Sequence, residues 1–127
     1  MTKIRMVVVS GALALSMTAV AAQRMFADFS GKWNVTITGQ GASVQSTMTV
    51  TQNGDSVFGT TGAQLGSGNF EGVVKGDSIF LGVASYDGGQ LIKMRFTGVM
   101  SKKDKMMGIV ETEGEPAASF VAARQPN

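Results

Sequence analysis

Acid–base chemistry in this chain could rest only on carboxylates, because it contains neither histidine nor cysteine. The nearest cluster is Glu111, Glu113 and Glu115, followed by Pro116. In an extended segment this alternate spacing puts all three on one side of a strand end, and an exposed acidic rim accounts for it without catalysis. Soft-metal chemistry has candidates in Met48, Met94, Met100, Met106 and Met107, since thioethers can hold Cu(I). Alternation points most of them inward instead, where methionine fills irregular core space. No nucleophile stands beside a base, and no glycine-rich phosphate loop precedes a helix. The pattern therefore points to binding rather than catalysis: we assign no enzyme activity, no cofactor and no metal.

The side chains that could hold a ligand are Ser46, Thr61, Ser85, Gln90 and Thr112, polar residues at positions where the alternation otherwise places apolar ones. Tyr86, in a neighbouring turn, could cap a molecule held there. Such a set suits a largely apolar ligand with one hydrogen-bonding head.

These residues must be positioned by strands. Apolar residues alternate with Thr, Ser, Asn, Gln and Lys over seven to ten positions at a time, the period-two signal of a sheet with one buried face. The predicted strands are 31–38, 44–52, 56–62, 68–75, 78–85, 90–99, 105–112 and 117–124. Asn53-Gly54-Asp55, Gly76-Asp77, Asp87-Gly88-Gly89 and Lys102-Lys103-Asp104 supply the turn chemistry between them. Connections this short join only antiparallel neighbours.

A two-residue loop at Gly76-Asp77 sets Val74 opposite Ile79, Gly72 opposite Leu81 and Phe70 opposite Val83. Carried around the chain, the same exercise gives an inward set of Trp33, Val35, Ile37, Val44, Met48, Val50, Val57, Phe70, Val74, Ile79, Leu81, Val83, Ile92, Met94, Phe96, Met100, Met106, Val110, Phe120 and Ala122. Strand direction sends the five polar candidates to one end, with looser connections at 39–43, 62–68, 86–89 and 113–117. Trp33 and the tight turns go to the other end, which is apolar. Gly98 falls opposite Gly108, a shared corner where strands bend sharply.

The fold expected is all-β: a single up-and-down antiparallel barrel of about eight strands, in which closure removes exposed edges. An outer-membrane barrel would be apolar outside, with aromatic girdles; here the outward partners are mostly polar.

Gly31-Lys32-Trp33 on the first strand and Arg124 on the last become neighbours when such a barrel closes, and the guanidinium can then lie across the only tryptophan. This pairing resembles the calycin superfamily of lipocalins, fatty-acid-binding proteins and avidins. The resemblance covers roughly residues 28–124 and implies a container, with Gly31, Trp33 and Arg124 as structural closure rather than binding site. Avidin-type biotin sites use several tryptophans, and one at the closed end does not provide them. Val57-Phe58-Gly59, Val74-Lys75-Gly76, Phe96-Thr97-Gly98 and Phe120-Val121-Ala122-Ala123-Arg124 also resemble a glycine-rich barrel domain found alongside bacterial hydrolases, a group that lends no activity.

Residues 1–22 have the layout of a secretory signal peptide: Lys3 and Arg5, an apolar stretch from Met6 to Val20, and small residues at Ala19-Val20-Ala21-Ala22. Removal leaves nine basic against nine acidic residues, too balanced for a nucleic-acid footprint, and no membrane span in the mature form. We expect a linker at 23–27, the barrel at 28–124 and a frayed tail at 125–127. An exported domain without cysteines favours a bacterial periplasmic or secreted location.

Phe58, Val73, Phe80 and Leu91 are expected on the outer face of the barrel, with Arg95 opposite Phe80. Exposed apolar side chains in a group suggest a docking surface. Two functions follow as expectations: an exported, lipocalin-like barrel binding a small hydrophobic molecule, or an interaction module, such as a partner or inhibitor of an exported hydrolase, that works through this outer face by self-association or by holding another protein.

Overall fold

The computed structural model describes residues 26–63 and 67–126; the segment 1–22 read as a signal peptide lies outside them. Alternation produces strands where the sequence places them: β1 (Gly31–Gly39), β2 (Ala42–Asn53), β3 (Ser56–Ala63), β4 (Ser67–Lys75), β5 (Ser78–Asp87), β6 (Gln90–Lys102), β7 (Lys105–Thr112) and β8 (Ala118–Arg124). Each pairs antiparallel with the next, and β1 pairs with β8, so the sheet is a closed barrel. Val74 faces Ile79, Gly72 faces Leu81 and Phe70 faces Val83, as the Gly76-Asp77 loop requires.

Two hairpins close more tightly than their sequences suggest. β5 and β6 pair out to Asp87 and Gln90, and Gly88 and Gly89 take φ of 60° and 84°. Positive φ at both central residues is the type I′ arrangement, whose twist matches the strands it joins. The pairing consequently shifts by two positions from a four-residue loop at 86–89: Arg95 faces Gly82, and Phe80 faces Thr97. The β1–β2 hairpin does the same with Gln40 and Gly41, at φ of 53° and 77°, closing on Gly39 and Ala42. The loop from Glu113 to Ala117 remains open, as expected.

Inside, Trp33, Val35, Met48, Val50, Val57, Phe70, Val74, Ile79, Leu81, Val83, Phe96, Met106, Val110, Phe120 and Ala122 are buried. Ile37, Val44, Ile92, Met94 and Met100 are half-buried. Phe96 packs edge-on against Phe120 with ring centres 5.3 Å apart. Gly98 does face Gly108, and a side chain at Gly108 would fall onto the Thr97 carbonyl; the strands can approach there only without one.

The base, meaning the Trp33 end, is sealed by residues 26–30, which cross it as a strap. Phe29 is fully buried and stacks obliquely on Trp33 at 6.5 Å. The Trp33 indole Nε1–H donates to the Phe29 carbonyl at 2.8 Å. Gln52 holds the strap from the other side: its Oε1 accepts from Phe29 N–H at 2.8 Å, and its Nε2 donates to the Ala27 carbonyl at 3.0 Å. Phe26 bridges Gly76, and Ala27 N–H donates to the Gly76 carbonyl at 2.8 Å. Residues 26 and 27 therefore belong to the domain and not to a linker, because their backbone groups are satisfied by the barrel.

Arg124 completes the seal. Its guanidinium carbon lies 4.6 Å from the centre of the Trp33 ring. Nη1 donates to the Ser30 carbonyl, and Nη2 to the carbonyls of Asp28 (2.7 Å) and Lys103 (3.4 Å). Asp104 Oδ1 sits 3.0 Å from Nε but off the N–H direction, so that contact is ionic. Gln125, assigned to the tail by the sequence, donates from its backbone to the Lys32 carbonyl (2.7 Å) and from Nε2 to Asn34 Oδ1 (2.8 Å). It is anchored rather than frayed.

Candidate functional site: the open mouth

The other end is open among the described residues. Past Val83 and Phe96 the interior widens into an open cavity of about 690 Å³. Its apolar wall comes from Ile37, Val44, Ile92, Met94 and Val110, and its polar groups from Ser85, Gln90, Thr112, Lys93, Glu113 and Glu115. Apart from Gln40 in the β1–β2 turn and the residues of the 113–117 loop, the wall residues sit on strands, so the barrel's own rigidity positions most of the lining. The cavity exists because the large inward side chains stop short of this end. Phe70, Leu81 and Phe96 are buried and fill the middle of the barrel, while Met94 is only half-buried and contributes to the cavity wall.

The sequence-derived site residues separate into three groups. Ser85, Gln90 and Thr112 line the cavity together: Ser85 is fully buried at its floor, Thr112 half-buried, and Gln90 exposed at the rim. Ser46 and Thr61 lie at the same end and are buried, but they do not line the cavity. Ser46 Oγ–H instead donates to the Gly62 carbonyl of the adjacent strand. Tyr86 stands apart. The two-residue Gly88-Gly89 turn extends β5 through position 86, where alternation turns the side chain outward. Tyr86 is 62% exposed and faces Leu91 across the hairpin. It is a strand residue and not a cap on the cavity.

Gln40, Lys93, Glu113 and Glu115 also line the cavity, outside the polar set that alternation singles out. Glu115 and Glu113 belong to the acidic rim, which the structure places at the cavity lip with Lys93 beside it. The Glu113 amide reaches the Lys93 carbonyl at 3.5 Å, the last contact between β6 and the loop that follows β7. A second depression of about 590 Å³ lies along the same strands, between Gly82, Arg95 and Glu111, and shares Lys93, Met94, Thr112 and Glu113 with the mouth.

Among the described residues no group of three or more His, Cys, Asp or Glu side chains is placed to hold a metal ion. At the base, the Asp28 carboxyl is displaced from its ordinary range. Asp28 accepts from the Ser30 hydroxyl at 2.6 Å and the Ser30 amide at 3.0 Å. Those bonds, with the Arg124 charge, hold its carboxyl below the usual value against a smaller opposing effect of burial.

The arrangement defines a class: a closed, eight-stranded, up-and-down antiparallel barrel with one sealed and one open end. A scan against protein-family models finds no match, and a search of curated proteins finds none either. Among solved structures the chain is similar to a redesigned β-barrel at a TM-score of 0.64, with 18% identity over 84% of this chain and 96% of that one. It is similar also to the redesigned barrel mFAP1 bound to DFHBI (TM-score 0.61, 17% identity, 83% and 98% covered). A third similar structure is EF1p2_mFAP2b bound to DFHBI (0.58, 17%, 83% and 97%). At these identities the likeness is one of fold.

Proposed function

We propose that this protein is an exported, calycin-like carrier that binds a small, largely apolar molecule in the mouth of its barrel without transforming it. The observation that supports the reading most is the cavity of about 690 Å³ with an aliphatic wall and Ser85, Gln90 and Thr112 at one side. That size lies within the usual range for drug-sized ligands. An apolar body would lie against Ile37, Val44, Ile92 and Met94, and a single hydrogen-bonding head would reach Thr112 or Gln90. Two barrels of similar fold hold the dye DFHBI, which supports a container role for the architecture. The signal-peptide-like layout of residues 1–22 and the absence of cysteine support a periplasmic or secreted bacterial location.

The test is native mass spectrometry of the protein purified from its own host, followed by titration of the emptied protein with DFHBI as a probe. A retained small molecule, or dye fluorescence that Val44→Trp abolishes by filling the cavity, supports the reading. No retained mass together with no dye binding would remove it. Arg124→Ala is expected to leave binding intact, since the guanidinium is at the opposite end.

A further inference from the structure

The outer wall is not uniformly polar. On the lower half of β5 to β8, the outward positions are occupied by Phe80, Val99, Met107, Ile109 and Val121, each between 38% and 54% exposed. They form one patch: Val99 faces Met107, Met107 faces Val121, Ile109 lies one step along β7, and Phe80 sits diagonally from Val99. The positions between them are Thr97, Ser119 and Ala123, so no charge interrupts the patch. Of the face expected from sequence, Phe80 belongs to this patch. Val73 faces Phe80 at its border, Phe58 faces Glu71 beyond that, and Leu91 lies at the mouth beside Tyr86.

The charges bordering the patch say what could cover it. Toward the base stand Lys102, Lys103 and Lys105, with Asp104 already engaged by Arg124. Toward the mouth stand Glu111, Glu113 and Glu115, with Arg95 facing Glu111 and Lys93 beyond it. Along β7 the outward side chains read Lys105, Met107, Ile109, Glu111: basic, apolar, apolar, acidic. This order is its own complement when reversed. A second copy turned by 180° about an axis through Gly108 sets Met107 against Ile109 of the other chain and Lys105 against Glu111. Lys105 and Glu111 are roughly 20 Å apart along the strand, at about 3.4 Å per residue, so both contacts form at once. A parallel arrangement would oppose like charges at both ends. Two-fold interfaces need this kind of self-complementarity, with an apolar centre and a polar rim.

We infer that the β5–β8 flank is the interface of an antiparallel homodimer, packed wall to wall, with both mouths left open. The inference is independent of ligand binding in the cavity. Sedimentation equilibrium of the protein as purified from its own host over a concentration series should show a monomer–dimer equilibrium; a strict monomer into the high micromolar range would overturn it. Ile109→Lys should abolish the dimer while leaving the melting temperature of the monomer within a few degrees. Lys105→Glu and Glu111→Lys should each weaken dimerisation about tenfold, since both contacts become repulsive in each homodimer. Mixing the two variants should restore a heterodimer of near wild-type affinity, because both contacts are then attractive again. Dimers unaffected by Ile109→Lys, or single variants that weaken association without recovery on mixing, would overturn the antiparallel interface.

Discussion

The two ends of the barrel are made by the same strands and differ in what lies across them. At the base, a five-residue strap crosses the opening. Phe29 and Trp33 fill the space beneath it, Gln52 holds its backbone on one side, and Arg124 holds it on the other while lying over the indole. At the mouth no described residue crosses. Two glycine-containing hairpins and the 113–117 loop stand around a cavity whose walls are aliphatic. Polar side chains serve opposite purposes at the two ends. Gln52 and Arg124 tie down the backbone groups of the strap, whereas Gln90 and Thr112 line an open space.

If that contrast is correct, stability should reside at the base and binding at the mouth, and substitutions should separate the two. The largest effect is expected for Trp33→Ala, which empties the sealed end and should cost about 4 kcal/mol in urea unfolding, in line with other large aromatic truncations. A loss under about 1 kcal/mol would mean that the strap does not depend on the indole. Arg124→Ala removes the ring contact and several carbonyl hydrogen bonds from a partly buried position, and should cost about 2 kcal/mol. Arg124→Lys should recover only part of this, since an ammonium lacks the planar fork. At the mouth, Gln40 is the one non-glycine among the described residues with positive φ. Gln40→Asn should raise stability by about 0.5 kcal/mol in urea unfolding, because asparagine tolerates that conformation better. The smallest effect concerns acid. The Asp28 carboxyl titrates below its ordinary 3.8 in the folded state, so its stabilisation is complete above that pH and is lost as pH falls through the folded value. Thermal melts of the wild type and Asp28→Asn should therefore differ slightly at neutral pH and converge in strong acid. A difference that grows on acidification would reverse the assignment.

Much of the barrel was readable from alternation alone, because the side-chain period in a strand is two and only one register buries Phe70, Leu81, Val83 and Phe96 together. Alternation fixes the register of the Gly76-Asp77 hairpin for the same reason. It does not fix that of Asp87-Gly88-Gly89, since several closures of a glycine-containing turn satisfy alternation and only the backbone angles select among them. That shift by two kept the apolar face inward but moved Arg95 from Phe80 to Gly82 and turned Tyr86 into a strand residue. Phe29 was missed because it precedes the first strand and belongs to no alternating series. Gln52 continues the inward series of Met48 and Val50, so a polar residue aimed into an apolar base was a signal available in the sequence. Of the expected mouth residues, Ser85, Gln90 and Thr112 share the cavity, while Ser46 is turned to a neighbouring carbonyl, a choice made by local geometry that spacing does not encode.

The strap has a consequence for how the molecule can be handled. Phe26 and Gln125 both lie against the sealed end, so cargo or a tag joined directly at residue 26 or 126 starts on the side away from the cavity. A short linker between the termini, with new ends cut at Gly88-Gly89, should give a circular permutant that keeps the same wall of strands.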